Sequence, residues 1–304
     1  MAEQSHTRNE RIGVLAAVLS STFGGMAAAV TRYVIDDVDP ITLAAFRFGI
    51  GFLFLLPIAL LMRSRWPTGR DWIGVTSLGL LFFAFFFVVY NFSLIHTTAA
   101  RGTLALSTLP LMTMVVAALL GTESLTARKT LGVLIAMSGV AAALLSGLAN
   151  APEGAWRGDL LMIAATLCMA FYTVWSQPVI ARSSPLGFIT ASMGIGAAAL
   201  VVIAVVTGGF ATAATFGAPQ WGAIGYLALF GGAAAFYLWV FGLQHASATR
   251  VANTLTINPI AAALLATILL GEPIGLNLVF GIAAVFVGIW IASTESSRPV
   301  GPVS

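Results

Sequence analysis

Chemistry in this chain has to come from very few groups. Arg47 is the only formally charged residue well inside one of the long apolar runs that fill the sequence. No Asp or Glu lies in the interior of any run, so the buried carboxylate relay of a proton pump is missing. His96 and His245 each stand five residues before an arginine, Arg101 and Arg250, while His6 belongs to a polar leader. The single cysteine, Cys168, excludes an intramolecular disulfide and any Cys-rich metal site, and reads as a small buried hydrophobe. There is no His-x-x-x-His pair, no phosphate-binding Walker loop, and Gly194-Ile195-Gly196 lacks the third glycine of a nucleotide fingerprint. An enzyme is therefore not expected, and neither is a cofactor or a metal.

The same residues suit binding better than catalysis. Arg47 falls about 9 Å into its helix at 1.5 Å per residue. A charge at that depth is costly unless paired or facing water. It reads either as an anchor for a substrate carboxylate, or as a structural cation bonded to helix-end carbonyls or to the acidic loop of Asp36, Asp37 and Asp39. Tyr90, Trp239, Tyr172 and Trp175 are mid-run aromatics that could wall a cavity for an amphipathic metabolite, or simply pack. Trp66, Trp72, Trp156 and Trp221 sit at run ends, as interfacial aromatics do. Asn253, Asn258, Thr256, Thr103 and Ser107 crowd onto two runs and must face protein or a pore, because hydrocarbon satisfies no amide. Pro110 and Pro259 sit mid-run, where each frees the carbonyl four residues back, at Leu106 and Leu255, and bends the helix for gating or for static packing. His96 and His245 either couple transport to protons or complement a helix C-terminus. Glu123 and Glu272 are expected to cap the helices that follow them.

The elements that must position these groups follow from composition. Of 304 residues, 59% are hydrophobic and 8% charged, against roughly a quarter charged in a soluble domain. The net charge of +3 is too small and scattered for a nucleic-acid surface. A spanning helix needs roughly 20 apolar residues, and ten runs qualify: 12–31, 41–62, 72–95, 102–120, 127–148, 158–181, 186–207, 220–243, 250–270 and 275–293. The fold class is all-α, an integral membrane protein of ten transmembrane helices embedded in the lipid bilayer. With the N-terminus inside, the inner segments hold Arg8, Arg11, Arg63, Arg65, Arg70, Arg128, Lys129, Arg182, Arg250 and Arg298, and the outer ones only Arg32, Arg101 and Arg157. That bias predicts cytoplasmic termini.

Sliding the chain against itself by 149 residues aligns 72–143 with 221–292 without a gap, with 18 identities in 72 positions. Trp72 meets Trp221, His96 meets His245, Arg101 meets Arg250, Pro110 meets Pro259, Glu123 meets Glu272, and Gly132 and Gly139 meet Gly281 and Gly288. Upstream, a shift of 145 pairs Pro40, Gly49 and Gly51 with Pro185, Gly194 and Gly196. The expected organisation is two five-helix units, 1–149 and 150–304. Five crossings per unit is an odd number, so the second unit is inserted upside down, and a central cavity can then open to each side in turn.

The stretches ARGTLALSTLPLMTMVVAALLGTESLTARKTLGVLIAMSGV and ATRVANTLTINPIAAALLATILLGEPIGLNLVFGIAAVFVGI resemble the paired EamA repeats of the drug/metabolite transporter superfamily. The common pattern is a helix with a central proline, a Gly-Glu or near variant, then a helix with glycines seven apart; Gly121-Thr122-Glu123 departs slightly from Gly271-Glu272. LAAFRFGIG in the second run adds to the resemblance, which spans nearly the whole chain. It implies a bacterial inner-membrane secondary transporter that exports small metabolites, amino acids foremost, with a multidrug or small-cation exporter as the alternative and an intramembrane enzyme or scaffold further off. A small-molecule cargo is then the expected partner, handled by a monomer or weak dimer.

Overall fold

The computed structural model describes residues 2–122, 126–147 and 151–293, and every element among them is helical. The chain runs through α1 (Ala2–Val34), α2 (Pro40–Leu61), α3 (Asp71–His96), α4 (Ala99–Leu119), α5 (Ala127–Ser146), α6 (Ala155–Arg182), α7 (Pro185–Val206), α8 (Ala218–His245), α9 (Ala248–Leu270) and α10 (Leu276–Ser293). Eight of these are long and apolar enough to cross a bilayer; α5 and α10 contain shorter apolar stretches, Thr130–Ser146 and Leu276–Gly288. In α5 the cause is local, since the helix opens on Arg128 and Lys129 before its apolar part begins. Helix α1 starts ten residues before the expected run because no proline or glycine interrupts its polar leader. The capping expected of Glu123, and the boundary between units at 149 and 150, fall outside the described residues.

Four helix starts are closed by side chains, which matters where a membrane cannot solvate bare N–H groups. The Asp39 carboxylate accepts from the backbone N–H of Ile41 and Thr42 at the head of α2, and Ser184 accepts from Gly187 at the head of α7. Thr98 and Ser247 do the same for α4 and α9, accepting from Arg101 and Arg250.

Two helices are widened and two are broken. Helix α3 passes through a π segment at Leu80–Phe86 and α8 through one at Leu229–Ala234. Helix α4 pauses at Ser107 and Thr108 and restarts at Leu109, while α9 runs through a 3₁₀ turn, Thr254–Ile257, and restarts at Asn258. The expectation of prolines inside continuous helices is corrected here. Pro110 and Pro259 each occupy the first turn of a restarted segment, where a missing N–H costs nothing.

Lipid tails are as apolar as leucine, so close backbone approach rather than hydrophobic driving force holds such helices together. Helix α1 lies against α8 and α9, α6 against α3 and α4, α2 against α7 and α8, and α5 against α10. A Cβ on Gly25 of α1 would stand 2.4 Å from the Asn258 carbonyl oxygen, which is why a glycine is needed where α1 crosses α9. Near the start of α1, Gly13 packs on His245 at the end of α8. Near the start of α6, Gly158 packs on Ser93 and Thr97 at the end of α3.

Candidate functional site

Between these helices lies a cavity with about 40 Å³ of space open to water, enough for a few solvent molecules. Fifteen residues line it. Ser20, Ser21 and Gly24 come from α1, Arg47 from α2, Phe82, Phe86, Phe87 and Tyr90 from α3, and Leu106 from the break in α4. The second half supplies Met169 from α6, Ala235, Phe236 and Trp239 from α8, and Leu255 and Asn258 from the break in α9. Five pairs in this lining are 149 positions apart: Ser20 with Met169, Phe86 with Ala235, Phe87 with Phe236, Tyr90 with Trp239, and Leu106 with Leu255. The last pair flanks the two helix breaks, and there the Leu255 carbonyl accepts from the Asn258 N–H, so the expectation that Pro259 leaves it free is corrected.

Arg47 is the cavity's only ion, and it is 4% exposed. Its Nη2 donates to the Gly231 carbonyl at 2.6 Å, inside the π segment of α8, where the change of hydrogen-bond spacing leaves an acceptor for a partner outside the helix. The guanidinium carbon also stands 4.7 Å from the Phe87 ring centre and 5.3 Å from that of Phe48, within cation–π reach. The acidic loop is not its partner. Asp36 pairs with Arg32, Asp37 accepts from Gln220, and Asp39 caps α2. No Asp or Glu is among the described residues lining the cavity.

Arg47 Nε, Trp239 Nε1 and Asn258 Oδ1 are buried without a hydrogen-bond partner, so the wall offers two unused donors and one unused acceptor. The two serines are already engaged, Ser20 donating to the Ala235 carbonyl at 2.7 Å and Ser21 sharing a hydrogen bond of 2.8 Å with Thr254. Around the polar edge the aromatic rings interlock, Phe48 with Phe87 at 4.4 Å and Phe86 with Tyr90 at 5.7 Å between centroids.

The sequence-derived candidates divide. Tyr90, Trp239, Arg47 and Asn258 meet at the cavity. Tyr172 stands one layer behind, fully buried and stacked on Phe82 at 4.2 Å. Trp175 lies 47% exposed on the outer surface against Phe171, because its three-residue step from Tyr172 falls short of a full 3.6-residue turn and swings it off the inner face of α6. Ser107 is buried but spends its hydroxyl on the Thr103 carbonyl of its own helix, and Asn253 is half-buried outside the lining. His96 and His245 are half-buried at helix ends, and a His245 ring nitrogen is 2.8 Å from the Phe241 carbonyl oxygen, a local bond.

Glu272 does not cap the helix after it. Its surroundings include the backbone N–H groups of Ala99 and Ala100 at the head of α4 and the charge of Arg32. Burial is the stronger influence and raises its pKa above the ordinary carboxylate value, with those groups pulling it down.

The EamA-like transporter family matches residues 11–145 and 156–294. Over 277 residues, 90% of each chain, this protein is 24% identical to the uncharacterized transporter YyaM of Bacillus subtilis. Over 256 residues, 82% of this chain and 79% of the relative, it is 27% identical to the uncharacterized inner membrane transporter YedA of Escherichia coli. A solved crystal structure at 20% identity superposes with a TM-score of 0.68 over 96% of this chain and 99% of the other, and so shares its fold. A multi-pass helical membrane chain with a cavity between its helices and these relatives is a transporter, and it belongs to the EamA-like family of the drug/metabolite transporter superfamily.

Proposed function

We propose that this protein is a secondary transporter of the bacterial inner membrane that exports small metabolites, amino acids foremost, by alternating access. The single observation that carries the cargo class is the unneutralised Arg47 guanidinium in an aromatic cavity, beside unused polar atoms on Trp239 and Asn258. A carboxylate would meet Arg47 and the Trp239 N–H, an ammonium would meet the Asn258 carbonyl oxygen, and a side chain would lie on Tyr90 and Phe87. A lipophilic cation would instead enter a cavity of its own sign, which weighs against the small-cation alternative.

Alternating access is supported by the lining pairs 149 positions apart, and by helix ends that meet in opposite sense, Gly13 with His245 and Gly158 with Thr97. These contacts suit two inverted five-helix units, 1–149 and 150–304, each crossing the membrane five times around one cavity. The breaks before Pro110 and Pro259 then act as the flexing points of α4 and α9. The excess of inner arginines argues for cytoplasmic termini. A cavity lined within one chain suits a monomer or weak dimer, and the local bond at His245 suits a structural rather than a proton-carrying histidine.

Uptake of a radiolabelled amino-acid panel into proteoliposomes tests the reading. Saturable flux of amino acids that hydrophobic cations fail to block is expected. Flux of hydrophobic cations alone, unaffected by any amino acid, would replace it with the multidrug alternative.

A further inference from the structure

Outside the cavity, two ion pairs occupy matching places. Arg101 at the head of α4 bonds Asp159 at the head of α6, Nη2 to Oδ2 at 2.5 Å. Arg250 at the head of α9 bonds Glu10 near the start of α1. The arginines are 149 positions apart, and so are the acids. Each pair joins the first helix of one half to the fourth helix of the other, so each spans the seam along which the halves must part for the cavity to open. Neither is needed to close its helix, because Thr98 and Ser247 already accept the Arg101 and Arg250 N–H groups.

Their places in the fold are opposite. Asp159 follows Gly158, which packs on Ser93 and Thr97 at the end of α3, and Glu10 precedes Gly13, which packs on His245 at the end of α8. Arg101 and Arg250 each stand five residues, about 7.5 Å of helix, before the cavity residues Leu106 and Leu255. The cavity therefore lies between the two pairs. We infer that Arg101–Asp159 and Glu10–Arg250 are the two mouth latches of the transport cycle, one of which separates each time the cavity opens to its side.

The chemistry fits a joint made to break. A buried ion pair gains little net stability over apolar packing, yet it fixes two elements in one relative position and is lost at once when they move apart. The Asp159 carboxylate takes a second bond from the Thr97 hydroxyl at 2.8 Å, while Arg101 also donates to the Leu144 carbonyl and keeps Nε and Nη1 without partners. The latches are unequal: side chains of the Arg101 pair are 8% and 7% exposed, those of the Arg250 pair 58% and 25%. The Glu10–Arg250 mouth is the more readily opened.

The inference rests on the alternating-access reading, and one experiment separates their failures. With Cys168→Ser as background, Ser20→Cys places a thiol at the cavity wall, and its reaction with a membrane-impermeant maleimide is timed in right-side-out and inverted vesicles. Labelling from both faces is the alternating-access result; labelling from one face only, in every variant, sinks that reading itself. Given both-face labelling, Glu10→Gln is expected to raise the rate about threefold to tenfold from the α1 N-terminal face only, and Asp159→Asn from the opposite face only. The exchange Arg101→Asp with Asp159→Arg should return the rates toward the starting values. Equal rates in the variants, or a rise from the same face for both, overturns the latches. If Asp159→Asn does not fold, the one-sided response of Glu10→Gln alone decides, since that pair is the more exposed of the two.

Discussion

Two places aligned by the shifts of 145 and 149 residues carry their large and small side chains exchanged. On α2, the long Arg47 approaches Gly231 and Gly232 in the π segment of α8, where a Cβ on Gly231 would stand 2.8 Å from the Ala27 Cβ and 3.3 Å from Arg47 Nη2. At the matching place on α7, the shift of 145 puts Ser192, which packs on Gly79 beside the π segment of α3, and there Phe82 and Phe83 stand where α8 has its glycines. The bulky side chain changes helix between the two places, and only one of them carries a charge. Under the proposed alternating-access reading, the lesson is that a duplicated scaffold keeps equivalent motions in both halves and still binds an asymmetric molecule, because Arg47 stands on one side of the cavity only.

The largest test of that contrast is to remove the ion. Arg47→Gln is expected to weaken carboxylate cargo about 10- to 100-fold, the ~1.5–3 kcal/mol of a hydrogen bond to a charge, whereas Ser192→Ala changes cargo affinity less than about twofold. Equal losses measured by transport competition would erase the distinction between halves. Next is the steric exchange. Gly231→Val should lower thermal stability in detergent by about 1–3 kcal/mol through overpacking against Ala27 and Arg47, while Gly225→Val, with open space around its Cβ, should be neutral or gain about 0.3 kcal/mol from the better helix propensity of valine.

A smaller effect separates the aromatic pair. Tyr90→Ala and Trp239→Ala should each weaken aromatic cargo about threefold to tenfold, the ~0.5–1.5 kcal/mol of a ring contact, with Trp175→Ala as the exposed control that changes nothing. The smallest concerns Glu272, whose raised pKa means the folded state holds its proton more tightly than the unfolded chain. Its contribution is therefore fully present below the ordinary value of 4.5 and is lost as pH rises from there through the raised pKa. Glu272→Gln should flatten that part of the stability–pH curve, and an unchanged curve would place its carboxylate in water.

How far the sequence could be read follows from which signals periodicity carries. The helical runs and their order are legible because each apolar stretch must match the membrane's thickness, and the cavity residues Tyr90 and Trp239 emerge because the 149-residue shift aligns them. Trp175 fails for a geometric reason, since mid-run placement does not tell the inner face of α6 from the outer. The π segments leave no signature in composition, so the sequence leaves both backbone carbonyls and the acidic loop open as partners of Arg47, and the structure selects a carbonyl, that of Gly231. The Glu10–Asp159 match was available from the same shift, yet α1 and α6 share so few identities that the alignment does not draw attention there. Adjacency in sequence points Glu272 to the helix following it and says nothing of the head of α4 packed alongside.

The most direct measurement compares binding of an amino acid and of the amine formed by its decarboxylation, by competition against a labelled substrate, on the natural protein and on Arg47→Gln. A strong preference for the amino acid that collapses in the variant is the predicted result. Equal binding of acid and amine on the natural protein, unmoved by the substitution, would contradict a cavity whose single guanidinium selects its cargo.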